Sequence, residues 1–260
     1  MSAHWIDPDV ATDPRHAKLT PRLALTHQTG FANWRGNSKD HKLAFASDPG
    51  NGFTYSGEGY EYLRRFIEHK TGQPFETLAA EYVFGPLGMT GTTFSARSRF
   101  TSRLTLPMNK DGEFRPADLQ PEGQPNAADN LFVTVEDYAK LMIGVAQGRG
   151  ISRALASERI KTQIEMPAPA ACKAPATPGC PDASDFGLGW VLYRFGAQTI
   201  VSNSGMDWGE FALVHFDAAT GDGMVYMVNG GNGVPVVMDA MELFDPASPV
   251  LAFGRAQMKP

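Results

Sequence analysis

Apolar positions recur at helical spacing along the middle of the chain. After Tyr55, residues Tyr60, Leu63, Phe66 and Ile67 fall on one face, and Thr71-Gly72 ends the run. A second helix is expected from Pro74, with Phe75, Leu78, Ala79 and Tyr82 turned inward and an end before Gly85-Pro86. A third begins at Thr134. There Thr134-Val135-Glu136-Asp137 resembles a capping box with Asp in place of Glu, and Tyr138, Leu141, Met142 and Val145 form the inner stripe. Further helices are expected over 22–25, 153–164 and 236–244. From Gly187 the pattern turns to strand, with 188–193, 199–202, 210–216 and 224–229 as candidates and 217–223 as a hairpin connection. The first fifty residues read as irregular, punctuated by Asp13-Pro14 and Thr20-Pro21. Residues 92–130 read as loop, with short strands near Leu104 and Phe114. Helices in the middle followed by antiparallel strands predict an α+β fold.

Composition narrows this picture. The 260 residues are 42% hydrophobic and include 16 Phe and 4 Trp, enough for a sizeable core and too apolar for a disordered chain. Net charge is -5, and Lys and Arg are scattered without a basic stripe, so no nucleic-acid partner is expected. No apolar run approaches the roughly 18 residues of a membrane helix. Residues 1–20 lack the basic-then-apolar order of a signal peptide. Cys172 and Cys180 lie in a Pro/Ala-rich stretch over 167–181. Two readings stay open there: two thiols in a loop, or a disulfide that closes it and implies an oxidising compartment. With no histidine nearby they cannot complete a tetrahedral zinc site. The six His are dispersed, and no H-E-x-x-H, Walker loop, G-x-S-x-G or EF-hand spacing occurs, so no metal or cofactor is expected.

Four landmarks carry more. They are Leu25-Thr26-His27-Gln28-Thr29-Gly30-Phe31, Phe53-Thr54-Tyr55-Ser56-Gly57-Glu58-Gly59-Tyr60, Pro86-Leu87-Gly88-Met89 and Asn203-Ser204-Gly205. In that order and spacing, from about Trp5 to Asn229, the chain resembles the serine β-lactamase and penicillin-binding-protein-like hydrolases, especially the class C and esterase branch. The resemblance implies an antiparallel sheet with flanking helices and a helical region. It also implies a single domain over 1–260 from which the family's N-terminal part, with the nucleophile helix, is missing. The implied reaction opens a small ester, amide or β-lactam through an acyl-enzyme, without a cofactor. The family takes its Ser and Lys from an S-x-x-K helix ahead of the first landmark. No serine in this chain has lysine three positions on. The isolated chain is therefore expected to be inactive, with an apolar groove and a bare sheet edge where that segment would pack. The alternative is a non-catalytic relative that binds a ligand or partner in the cleft. A periplasmic or secreted location follows only if a signal peptide lies upstream.

Tyr55 takes the catalytic position of the family's Y-x-N motif. A phenol with an ordinary pKa of about 10 is a poor base at neutral pH. A lysine ammonium beside it would stabilise the phenolate and let it take the proton of a serine hydroxyl. Gly57 stands where the motif has Asn and offers no amide, which weakens recognition of an amide substrate. Asn203-Ser204-Gly205 stands where the family has K-T-G or H-x-G, after the strand expected over 199–202. Small residues there let a substrate lie close to an edge strand, while Asn203 replaces a cation or imidazole with a neutral amide. The resemblance gives the Met206 N–H a place in an oxyanion hole. Gly57, Asn203, Ser204, Gly205 and Met206 are thus the expected substrate-binding residues, and they are expected to share one cleft with Tyr55. His27 is read as structural, Gly30 as a positive-φ turn, Pro86-Leu87-Gly88-Met89 as a helix end, and Asn126–Leu131 as a loop lining the cleft.

Overall fold

The computed structural model describes residues 1–116, 120–172 and 177–258. The chain forms two compact units. Met1–Thr101 and Leu119–Val133 make the first, and Ser102–Asp118 and Thr134–Pro260 the second.

The first unit carries α1 (Pro21–Leu25), α2 (Gly57–Thr71), α3 (Phe75–Ala79), α4 (Gly85–Leu87) and α5 (Ser98–Thr101). The Ser56 hydroxyl accepts from Gly59 N and caps the start of α2, and Gly72, at φ 71°, ends it where the sequence predicts. The helix buries Tyr62, Leu63 and Phe66. Tyr62 joins Val10, Leu19, Phe31, Leu43 and Phe45, while Leu63 and Phe66 pack on Ala24. The irregular first fifty residues are thus the counterpart that α2 needs to remove its apolar face from water, each fully buried large side chain contributing about 1.5–3 kcal/mol. The second helix departs from expectation. It does not stop before Gly85-Pro86. A π-helical turn over Ala80–Phe84 joins α3 to α4, and Gly88, at φ 67°, ends the run. Tyr82 falls inside this wider turn and is 65% exposed rather than inward.

The second unit carries α6 (Val135–Ala146), capped by the Thr134 hydroxyl on Asp137 N, and α7 (Arg153–Glu158). A six-stranded antiparallel sheet follows, its strands adjacent in chain order: β1 (Ile164–Glu165), β2 (Ala183–Phe186), β3 (Val191–Phe195), β4 (Gln198–Met206), β5 (Phe211–Asp217) and β6 (Gly223–Val228). Helices α8 (Gly233–Phe244) and α9 (Pro249–Gln257) close the unit. One sheet face packs Ile200 and Leu213 on Val237, Met238, Met241, Val250 and Leu251. The other packs Leu192, Val201, Val214 and Phe216 on Met142 of α6. The architecture is α+β, as predicted.

Several expected boundaries shift. The helix expected over 153–164 ends at Glu158, because Ile164-Glu165 pairs with Asp185-Phe186 as a strand. The strand expected from Leu188 begins at Val191. Residues 187–190 form a tight turn, with Gly187 N donating to Trp190 O and Gly189 at φ 82°. Leu104 lies in no strand, while Phe114 makes an isolated bridge with Met108. Cys172 and Cys180 form a disulfide. Part of their Pro/Ala-rich stretch, 173–176, lies outside the described residues. Gly179 lets that loop approach α9 closely, since a Cβ there would sit 2.7 Å from Ala252 O. Among the described residues β6 bounds the sheet, and α8 turns Val236, Leu243 and Phe244 to solvent. No described helix is long and apolar enough to cross a membrane.

Candidate active site

Tyr55 and Gly57 belong to the first unit, and Asn203–Met206 to the second. Around Tyr55 the backbone is fixed by His27. The His27 carbonyl accepts from Thr54 N at 2.8 Å, and its Nδ1 accepts from Ser56 N at 3.0 Å, so one residue grips both neighbours of Tyr55. His27 is 4% exposed and sits at φ 53°, the left-handed region. Burial lowers its pKa to about 4. The ring is neutral at physiological pH, with Nδ1 the acceptor. The rings of Tyr55, Tyr60 and Phe53 surround it at 4.5, 5.0 and 5.6 Å between centroids. These contacts pack the ring and hold the backbone on both sides of Tyr55. Gly30 has the expected positive φ, 77°.

Tyr55 remains 59% exposed. Partial burial, then the Asp129 carboxylate, push its phenol above the ordinary tyrosine value. In this state the phenol is a proton donor at neutral pH. Proton abstraction would need a cation to reverse that shift. Asp129 is brought near by the expected 126–131 loop, which α2 holds through Ala127 N donating to Glu61 Oε1 at 2.7 Å.

Gly57 opens α2. Its N donates to Asn33 Oδ1 at 2.9 Å, Glu58 N donates to Asn33 O at 2.9 Å, and the Ser56 hydroxyl donates to Ala32 O at 2.8 Å. The Glu58 carboxylate accepts from Arg35 N and Nε, both at 3.0 Å, and Arg35 also pairs with Asp7 and Asp9. Sequence reasoning missed Ala32–Arg35. The one signal for it was Glu58, an acid on the first turn of a buried helix that needs a cation nearby.

In the second unit, β4 pairs with β5 from Ile200↔Asp217 to Met206↔Phe211, whereas β3 begins at Val191, opposite Ser202. Residues 203–206 therefore run past the end of β3. Asp207 N donates to Glu210 O, and Ala218 N donates to Thr199 O, which marks the odd positions of β4 as the pairs bonded to β5. Alternation then aims the N–H and C=O of Ser204 and Met206 away from β5, on the side where β3 has ended. The motif thus lies on the strand, not after it as the sequence suggests. Pairing with β5 overrides the turn preference of Asn, Ser and Gly. Met206 is 75% exposed, and Asn203 Nδ2 donates to Gly189 O at 3.0 Å. No group of three His, Cys, Asp or Glu among the described residues is placed to hold a metal ion.

Residues 2–247 match the family described as Beta-lactamase. The chain belongs to that family. Among its Beta-lactamase relatives, penicillin-binding protein 4 of Amycolatopsis lactamdurans is 25% identical over 191 residues, covering 70% of this chain and 49% of that protein. Lovastatin esterase of Penicillium rubens is 25% identical over 170 residues, covering 54% of this chain and 42% of that protein. The D-amino acid amidase of Ochrobactrum anthropi SV3, solved with D-phenylalanine, superposes with a TM-score of 0.69 at 21% identity, covering 100% of this chain and 79% of that one. The chain spans between about a quarter and a half of the length of the curated relatives it matches.

Proposed function

We propose that the chain carries two parts of a serine hydrolase site acting on a small ester, amide or β-lactam: the Tyr55 turn and the open tip of β4. Tyr55 would be the proton-transfer residue. Asn203, Ser204, Gly205 and Met206 would bind the substrate, with the Met206 N–H as an oxyanion donor, while Gly57 is buried with its N–H already given to Asn33. We further propose that the 260 residues alone form no acyl-enzyme. The observation that carries this is the state of Tyr55: the charge acting on the phenol is a carboxylate, which opposes the phenolate that a general base requires. The absence of Ser-x-x-Lys points the same way. A serine and a lysine would have to come from residues outside this sequence.

Incubation with a fluorescent penicillin and with a fluorophosphonate is expected to leave the protein unlabelled. A labelled serine, mapped by mass spectrometry, would overturn the inactive reading. A second reading, a relative that binds without catalysis, is favoured by Asn203. Its amide nitrogen is engaged with Gly189 O, in a place where the family's active members offer a cation or imidazole.

A further inference from the structure

The glycine at 57 is matched by a neighbour. A Cβ built on Gly57 would lie 2.4 Å from both Cη2 and Cζ2 of Trp34 and 2.8 Å from Cζ3. The outer edge of the indole therefore fills the space that a side chain at 57 would need. The backbone on either side of Trp34 is held to the start of α2, Asn33 by Gly57 N and Glu58 N and Arg35 by the Glu58 carboxylate, so a side chain at 57 would have to turn the indole out of this position. Trp34 itself is only half-buried.

The carboxylates beside this wall are ion-paired, Asp7 with Arg65 as well as Arg35. The guanidinium of Arg35 is matched by Asp7, Asp9 and Glu58, and Asp129 acts on the Tyr55 phenol. The indole itself carries no charge, which suits a neutral, apolar group.

We propose that Trp34 is the specificity-determining residue of the site, its indole standing in for the missing side chain at 57 and presenting an aromatic wall to a neutral ester that bears an aromatic group. This rests on the reading that the Tyr55–Gly57 turn faces substrate. A ring stacked on the indole gains burial and offset-stacking energy that a small ester does not.

The test is a titration of the full chain with methyl phenylacetate and with methyl acetate, followed by NMR of the tryptophan indole N–H groups and the tyrosine rings, with Trp34→Phe and Tyr55→Phe for assignment. The Trp34 signal is expected to move saturably with methyl phenylacetate and to need at least about tenfold more methyl acetate. Trp34→Ala is expected to weaken methyl phenylacetate by about tenfold and Trp34→Phe to retain most of the binding. In parallel, Gly57→Asn is expected to lower the melting temperature, and to do so far less when combined with Trp34→Ala. Movement of Tyr55 alone, equal affinity for the two esters, or equal binding by Trp34→Ala would overturn the role of Trp34 and leave the Tyr55 site standing. If neither Trp34 nor Tyr55 responds, the site reading falls and this proposal falls with it.

Discussion

The Tyr55 turn and the tip of β4 are built on opposite principles. At the turn, four donors around Tyr55 are satisfied by distant side chains and carbonyls: Thr54 N and Ser56 N by His27, and Gly57 N and Glu58 N by Asn33. At the tip, among the described residues, the backbone pairs with β5 and residues 204–206 are exposed. Where side chains fix the backbone, a departure from the family pattern has to be accommodated by a partner, as Trp34 accommodates Gly57. Where the backbone pairs with itself, a departure such as Asn203 needs only one new hydrogen bond.

The difference is broken most easily at His27. His27→Ala removes a buried ring and leaves Ser56 N without its acceptor, and is expected to lower stability by about 4 kcal/mol. His27→Asn keeps an acceptor and tolerates positive φ, and is expected to recover part of that loss. Ser204→Ala, on the exposed tip, is expected to stay within about 0.5 kcal/mol of the parent. Urea unfolding of the three variants measures the contrast, and equal costs for His27→Ala and Ser204→Ala would erase it.

A slightly smaller effect follows from acid. His27 has a pKa of about 4 in the folded protein against 6.5 as its ordinary value. Between those values the unfolded chain binds a proton that the folded chain refuses, so stability falls as pH drops from 6.5 to 4 and levels off below. At 1.36 kcal/mol per unit, the loss is about 3 kcal/mol. His215, also lowered by burial with Asp245 acting in the opposite direction, adds a loss of the same sign in the second unit. Unfolding midpoints measured across this range should show a shallower slope for His27→Asn than for the parent. An unchanged slope would show that His27 is not the group responsible.

The same contrast explains what could be read from the chain alone. Helices announced themselves where period and caps agreed, as at Thr71-Gly72 and Thr134. The last helix was missed although Ser248-Pro249 is an ordinary start and Val250, Leu251 and Phe253 are buried. Strands β1 and β2 were illegible for a physical reason. Asp185 occupies a buried position, satisfied by Thr162 and Arg194, so the apolar alternation that marks a strand is interrupted. The tip of β4 was hidden by residues that ordinarily make turns. Tyr55, Gly57 and Asn203–Met206 could be named from motif order, but Trp34 could not, because its contact with Gly57 spans residues that no local pattern links.

The smallest expected effect sharpens the comparison furthest. A Cβ on Gly205 meets nothing within 4 Å, and its φ is not in the left-handed region. Gly205→Ala should therefore leave stability within about 0.5 kcal/mol of the parent. If the tip of β4 lies against substrate, the added methyl intrudes into the space between backbone and ligand, and affinity for methyl phenylacetate should fall although the fold does not change. A variant equal to the parent in both unfolding and ester titration would leave the tip an ordinary strand end, and the binding role would rest on the Tyr55 turn alone.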